Sequence, residues 1–272
     1  MRKFKISPAE ILRSFWKNKT LIVQMTRREV IGRYKGSMLG IFWSFFNPVL
    51  MLSVYTFVFS EIFKARWSTN PSSKSDFAIL LFAGMIVYGV FSDCINKAPS
   101  LVLSQPNYVK KVIFPLEIMP WVSLGAALFH ALISTIVLLA FNFIVTANVH
   151  ATALYLPLVL FPLALFILGV SWLLSSLGIY LRDVGQTVGL ATMALMFLSP
   201  VFYPVSALPE EYKTIIIMNP LTLIIEETRK ILILGESPDF SAIGIYSLAS
   251  LFICWLGFAW FQKTRRGFSD VM

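Results

Sequence analysis

Residues 27–48 read RREVIGRYKGSMLGIFWSFFNP. Four cations, Arg27, Arg28, Arg33 and Lys35, pass through Gly32 and Gly36 into an apolar segment that begins near Leu39 and runs to Phe63. That segment is longer than the roughly 20 helical residues needed to cross a hydrocarbon core of about 30 Å. A basic stretch that abuts an apolar span reads as the side of a membrane that keeps its lysines and arginines. It also reads as an attractor for anionic lipid headgroups or a phosphorylated lipid, in place of nucleic acid. The positive-inside rule alone accounts for the same charges, so both readings stand.

The rest of the chain agrees with a membrane setting. Of 272 residues, 57% are hydrophobic and 14% charged. The mean hydropathy is +0.75. That leaves too little polar surface to cover a soluble domain. Alternation of apolar and polar residues, the mark of an outer-membrane barrel, is missing. The expected fold is an all-α integral membrane protein with six transmembrane helices. The spans are placed at about 39–63, 77–97, 119–145, 154–180, 184–203 and 242–261. The first comes late and is long, so it is expected to remain as an anchor and not as a cleaved signal. The chain divides into cytoplasmic amphipathic and gate helices (1–36), a six-span bundle (39–263) and a cytoplasmic tail (264–272), together one domain over 1–272.

Loop charges orient this bundle. With the N-terminus inside, the first 37 residues contribute ten cations to the inner side. Lys97, Lys110, Lys111, Arg182, Lys263, Arg265 and Arg266 add seven more. Lys64, Arg66, Lys74, Lys213, Arg229 and Lys230 remain outside, which accounts for all 23 lysines and arginines. Both termini are therefore expected in the cytoplasm.

Before the first span, Ser7-Pro8-Ala9-Glu10 reads as a helix start, with proline at the first helical position and an acidic first turn. Ile11, Leu12, Phe15 and Trp16 then form an apolar face that suits a helix lying in the headgroup plane. A second short helix over about 21–34 is expected to bend toward the bilayer, with Gly32 and Gly36 as break points.

Two connections are unusual. Residues 98–118 form an inner segment with a short helix expected from Pro106 and a proline stop at Pro115. Residues 214–225 are apolar but interrupted by Asn219-Pro220, and about 12 residues are too few for a span. They read as re-entrant outer half-helices between spans five and six. Broken backbone at membrane depth requires protein or a cavity around it, which makes the segment a candidate gate.

The chemistry is sparse. Gly32-Arg-Tyr-Lys-Gly36-Ser37 lacks the spacing of a nucleotide-binding loop, so any ATP hydrolysis belongs to a partner. Cys94 and Cys254 read as small hydrophobes without metal spacing. Glu61, Asp93, Arg182 and Asp183 fall near span ends, where ion-coupled carriers place fewer of their working charges than in mid-span. Arg182-Asp183 reads as a local salt bridge or topology anchor before a functional pair at the inner mouth, and His130 as a hydrogen-bonded interhelical residue before a proton relay. Glu226 and Glu227 with Arg229 and Lys230 read as helical ion pairs. Aromatic residues make up 15% of the chain. Lipid-facing packing and interfacial belts explain most of them. Trp43, Phe46, Tyr55, Phe59, Phe197 and Tyr203 are the candidates to line a channel in which ring faces stack on sugars and let a polymer slide.

Residues 29–48 resemble the signature leading into the first span of type-2 ABC exporter permeases for polysaccharides. Asn107-Tyr-Val-Lys-Lys-Val-Ile-Phe-Pro115, Tyr180-Leu-Arg-Asp-Val-Gly-Gln186, Phe197-Leu-Ser-Pro-Val-Phe-Tyr-Pro204 and Met218-Asn-Pro-Leu-Thr222 with Arg229 resemble later parts of the same family, in order. The N-terminal wording is most similar to the O-antigen, or lipopolysaccharide, export branch. The resemblance implies a homodimer in the bacterial inner membrane, bound to two copies of a separate ATPase that carries the ATP and Mg. It implies a polyprenyl-diphosphate-linked glycan as cargo. On that reading Arg27, Arg28, Arg33 and Lys35 receive the diphosphate, and Gln105, Asn107, Tyr108, Lys110 and Lys111 couple to the ATPase. Asn219, Pro220 and Arg229 then gate the outer exit. Capsular polysaccharide, teichoic acid and a small lipid or drug are alternative cargoes. A membrane-bound transferase is the alternative of another class, and a membrane scaffold the plainest one.

Overall fold

The structure is a computed structural model and describes residues 6–63, 76–110 and 114–271; every regular element among them is helical. The first helix, α1 (Pro8–Gly32), is continuous over 25 residues, with proline in its first turn and Glu10 near its N-terminus. The expected bend near residue 21 is absent, because Leu21 to Val30 contains no glycine or proline to break the hydrogen-bond ladder. The expected break at Gly32–Gly36 is present, and Gly36 adopts φ 90°, a conformation glycine enters without Cβ strain.

The apolar face of α1 divides. Ile11, Ile22 and Val30 are buried, whereas Leu12, Trp16 and Val23 are exposed. Ile22 packs with Ile118 and Val122, and the Phe15 ring lies 4.7 Å from that of Trp121. This helix is thus tied to the bundle by one stripe and shows a second stripe outward.

Among the described residues, five helices are long and apolar enough to cross a membrane. The first enters through a short 3₁₀ turn, becomes α2 (Trp43–Tyr55), and continues as a π-helical turn over Thr56–Ile62. The second contains α3 (Asp76–Lys97) and lies at the centre, 78% buried against 11% for the first. Between it and the next span sits the five-residue helix α4 (Pro106–Lys110). Then come α5 (Met119–Thr146) and α6 (Leu156–Tyr180).

The helix α7 (Val184–Leu198) has 15 residues, about 22 Å at 1.5 Å per residue, which is shorter than the roughly 30 Å core. The sequence reading carried this span to 203. The helix stops at Leu198 because Pro200 cannot donate and biases Ser199 to extended backbone, seen as ψ 150° at Ser199.

Two short helices, α8 (Glu210–Met218) and α9 (Thr222–Arg229), flank the Asn219-Pro220 break. A π-helical turn follows α9 and ends at Gly235, whose φ is 71°. The last long helix, α10 (Phe240–Thr264), starts on Asp239, whose carboxylate accepts from the backbone N–H groups of Ser241 and Ala242. A final turn, α11 (Phe268–Val271), buries Phe268.

The most extensive helix pair is α6 with α10. Gly169 and Gly257 set its closest approach: a Cβ on Gly257 would fall 1.9 Å from the Gly169 carbonyl oxygen. Close backbone approach through small residues is the usual way membrane helices gain packing contact.

Candidate functional site: the α1 end of the bundle

Helix α1 ends against α3 in a crossed pair of ion bridges. Glu29 and Arg33 are four residues apart on α1 and its cap, and Asp93 and Lys97 are four apart on α3. Each spacing brings two charges to one helix face. Lys97 Nζ lies 2.9 Å from Glu29 Oε1, and Arg33 Nη2 lies 3.1 Å from Asp93 Oδ2. All four side chains are partly exposed, at 29–41%. Beside them the Tyr34 hydroxyl sits 3.4 Å from His130 Nδ1. Burial holds the Tyr34 phenol above its ordinary pKa, while Arg33 pulls it back.

Two cavities open at this end. One, of about 350 Å³, lies between α1, the end of α3 and the segment holding α4; Arg28, Lys97, Ser104, Gln105 and Tyr108 reach it. The other, of about 240 Å³, lies between α2, α3 and α5, and takes Arg33, Tyr34, Asn47, Tyr55, Phe82 and His130.

The structure therefore divides the four basic residues expected at a diphosphate. Arg28 faces the first cavity and Arg33 the second. Arg27 and Lys35 are exposed and line neither. The expected coupling residues Gln105 and Tyr108 share the first cavity with Arg28, and the Tyr108 ring stacks on Phe114 at 4.4 Å. Asn107 is exposed on α4, which ends at Lys110, and Lys111 lies outside the described residues.

The channel aromatics form separate groups. Trp43 meets Phe46 edge-on at 5.5 Å. Tyr55 contacts Phe59 and Phe82, and Phe59 stacks on Phe77. Near the end of α7, Phe197 stacks on Phe202, and the Tyr203 hydroxyl donates to the Phe197 carbonyl at 3.0 Å. Among the described residues no ring contact joins the α7 group to the first-span group. The expected local pair Arg182–Asp183 does not form, and both side chains are exposed.

At the opposite end of α3, Asn219 bolts the α8–α9 break to the end of α7. Its amide donates to the Leu198 carbonyl at 3.1 Å and to Ser199 Oγ at 3.0 Å, while its Oδ1 accepts from Leu221 N at 2.9 Å. Pro220 follows, without an N–H to lose. Arg229 is 2% exposed. Its Nε donates to the Leu80 carbonyl, its Nη2 to the Val201 carbonyl, and its Nη1 to Glu226 Oε1, at 2.8–2.9 Å. The neighbouring pair Lys230–Glu227 measures 2.7 Å, and Glu227 also accepts from Asp239 N.

The pairing of Glu29 with Lys97 and of Asp93 with Arg33 was not read from the sequence. Neither was Glu117, whose contacts are described below. The spacing of four on each helix was visible, but the pairing joins residues 60 and 68 positions apart. Among the described residues no group of three or more His, Cys, Asp or Glu side chains is placed to hold a metal ion.

Several long apolar helices with a tethered N-terminal helix and a short helix between spans define a multi-pass membrane protein. The chain belongs to the ABC-2 type transporter family, whose model matches residues 20–233. It is 24% identical over 253 residues to the O-antigen export system permease protein RfbA of Klebsiella pneumoniae, covering 93% of this chain and 95% of that protein. It is 22% identical to RfbA of Myxococcus xanthus, covering 96% and 98%. It is 23% identical to the polysialic acid transport protein KpsM of Escherichia coli, covering 86% and 91%.

Proposed function

We propose that this chain is the membrane-spanning permease subunit of an exporter for lipid-linked polysaccharide, with O-antigen as the cargo. The observation that carries the proposal is the end-to-end likeness to O-antigen export permeases, together with the family match. On this reading ATP is hydrolysed, with Mg, by two copies of a partner ATPase, and the permease itself is a homodimer in the bacterial inner membrane. Both termini face the cytoplasm, so the α1 end is the inner end. The fifth of six spans is α7, extended by the coil of residues 199–204, and the sixth is α10. The α8–α9 pair dips back into the outer leaflet, where Asn219, Pro220 and Arg229 frame the exit.

At the inner end, Arg27, Arg28, Arg33 and Lys35 attract the diphosphate of a polyprenyl-linked glycan through charge-assisted hydrogen bonds. Arg27, Arg28 and Lys35 have no ion-pair partner among the described residues, so their charge is available to a lipid phosphate. Arg33 reaches an incoming anion by exchanging Asp93 for it. Helix α4 then docks on the ATPase, and the cavity shared by Arg28 and Tyr108 lets cargo and ATPase act on one place. Replacing Arg27, Arg28 and Arg33 together by glutamine is expected to reduce surface glycan by about tenfold or more, in line with about 1.5–3 kcal/mol for a hydrogen bond to a charged group. Co-purification with the ATPase is expected to persist. Normal surface glycan in that triple variant overturns the diphosphate site.

A capsular polysaccharide is the second reading of the cargo, favoured by the likeness to KpsM. Chemical analysis of the exported glycan in cells lacking and regaining the permease decides between the two.

A further inference from the structure

Glu117 stands where four elements meet. It lies in the 3₁₀ turn Leu116–Ile118, immediately after Pro115 and between α4 and α5. One carboxylate oxygen, Oε1, accepts from Ser14 Oγ of α1 at 3.2 Å. The other, Oε2, accepts from Arg265 Nη1 at the end of α10. The Glu117 backbone carbonyl accepts from Trp172 Nε1 of α6 at 2.9 Å, and Trp172 is fully buried. Arg265 Nη2 also donates to the Phe114 carbonyl at 2.7 Å. The Glu117 and Arg265 side chains are 14% and 13% exposed, well below the half-exposed pairs between α1 and α3.

This node reaches α4 through a ring contact. The Phe114 ring stacks on Tyr108 of α4 at 4.4 Å with an interplanar angle of 11°. Beyond Arg265, Phe268 packs under Tyr180 and Phe261, and the Tyr180 hydroxyl donates to the Thr264 carbonyl at 3.1 Å. A ring stack and an ion pair thus link α4 to a joint that contacts α1, α6 and α10. A lone exposed ion pair transmits little, because water and rotamer freedom absorb the motion. A largely shielded carboxylate with two charged or hydrogen-bonding partners relaxes less, since each lost contact leaves a poorly solvated unpaired group.

We infer that Glu117 and Arg265 are positioning residues that convert movement of α4 into joint movement of the N-terminal helix and the last span. The inference rests on the reading of α4 as the ATPase-docking element. The test is the permease–ATPase complex in vesicles, carrying Glu117→Gln or Arg265→Lys, with ATP hydrolysis, glycan transport, subunit co-purification and melting temperature measured on each. Glutamine keeps the size of Glu117 and its acceptor for Ser14, but removes its charge. Glycan moved per ATP hydrolysed is expected to fall about tenfold in Glu117→Gln, within the range for coupling between sites. ATP hydrolysis and co-purification should stay close to wild type. Arg265→Lys keeps the charge and should retain most of the coupling.

Two results overturn the inference. One is an unchanged transport-to-hydrolysis ratio in Glu117→Gln. The other is a parallel loss of transport, hydrolysis and complex, which a purely structural role produces. The docking reading fails separately. It is overturned when Asn107→Ala with Tyr108→Ala leaves co-purification and hydrolysis at wild-type levels, whatever Glu117 does.

Discussion

The two ends of α3 hold charge in opposite ways. At the α1 end, Arg33–Asp93 and Lys97–Glu29 join two helices distant in sequence, and all four side chains keep contact with solvent. At the α9 end, Arg229 is sealed, 2% exposed, and donates to backbone carbonyls of α3 and of the coil after α7. The 22 residues of α3 separate the ends by about 33 Å. A half-exposed pair exchanges partners at low cost, because water replaces whatever leaves. A buried guanidinium does not, because removing it orphans every acceptor it served. The first arrangement suits a place where an anion must compete for a cation. The second suits a joint that has to stay closed while its surroundings work.

The strongest way to break this contrast is Arg229→Met. Methionine matches the length of the arginine stem and removes all three donors from Leu80, Val201 and Glu226. The expected cost is about 3–5 kcal/mol, the usual consequence of breaking a buried charged network from one side. Unfolding of the detergent-solubilised protein, followed by near-ultraviolet circular dichroism, measures it. A loss under about 1 kcal/mol, the level of a surface pair, would place Arg229 with the α1-end charges and dissolve the distinction.

A smaller perturbation sharpens the same point. A Cβ on Gly84 would lie 2.9 Å from Arg229 Nη2 and 3.4 Å from Ile225 Cγ2. The guanidinium is the tip of a flexible side chain, but three acceptors fix it in place. Gly84→Ala should therefore cost about 1–3 kcal/mol, as for overpacking elsewhere. In the Arg229→Met background the cost should shrink, because the flexible thioether yields where the pinned guanidinium does not. The double-mutant cycle reads that difference directly. Equal costs in both backgrounds would show that Ile225 and the Val201 backbone, and not Arg229, set the limit at Gly84.

What was legible in the sequence follows the range of the interaction. The positions of five spans came from run length, which is a local quantity. The Gly32–Gly36 break was legible because glycine marks it. The bend near residue 21 was an expectation without a breaker, and α1 runs straight through it. The end of α7 was signalled by Pro200, but the apolar run through Tyr203 masked the proline. Glu226–Arg229 and Glu227–Lys230 were legible as pairs at a spacing of three. The burial of Arg229 was not, because it depends on carbonyls of Leu80 and Val201 brought in from elsewhere. Arg33–Asp93 and Glu117–Arg265 join positions 60 and 148 apart, and no periodicity announces such pairs. The candidate diphosphate cluster was read as one patch on the same grounds. Neighbours in sequence need not be neighbours in space, and the end of α1 turns Arg28 and Arg33 to different cavities.

The mildest perturbation tests the α1 end itself. Asp93→Asn keeps the shape of the side chain and removes its charge, leaving Arg33 with a neutral partner. Asp93 and Arg33 are 36% and 41% exposed, so the change in stability should stay within about 1 kcal/mol. It should also disappear in 1 M salt, where the Debye length is about 3 Å and exposed charges no longer sense each other at range. Arg229→Met should keep its full cost in the same salt, since the counterions cannot reach a sealed guanidinium. The comparison is therefore a two-by-two experiment of site against ionic strength, read by the same unfolding signal. A salt-insensitive loss of several kcal/mol in Asp93→Asn would mean that the crossed bridges are structural bolts like Arg229. Arg33 would then have no freedom to leave Asp93 for a lipid diphosphate, and the entry site would have to rest on Arg27, Arg28 and Lys35 alone.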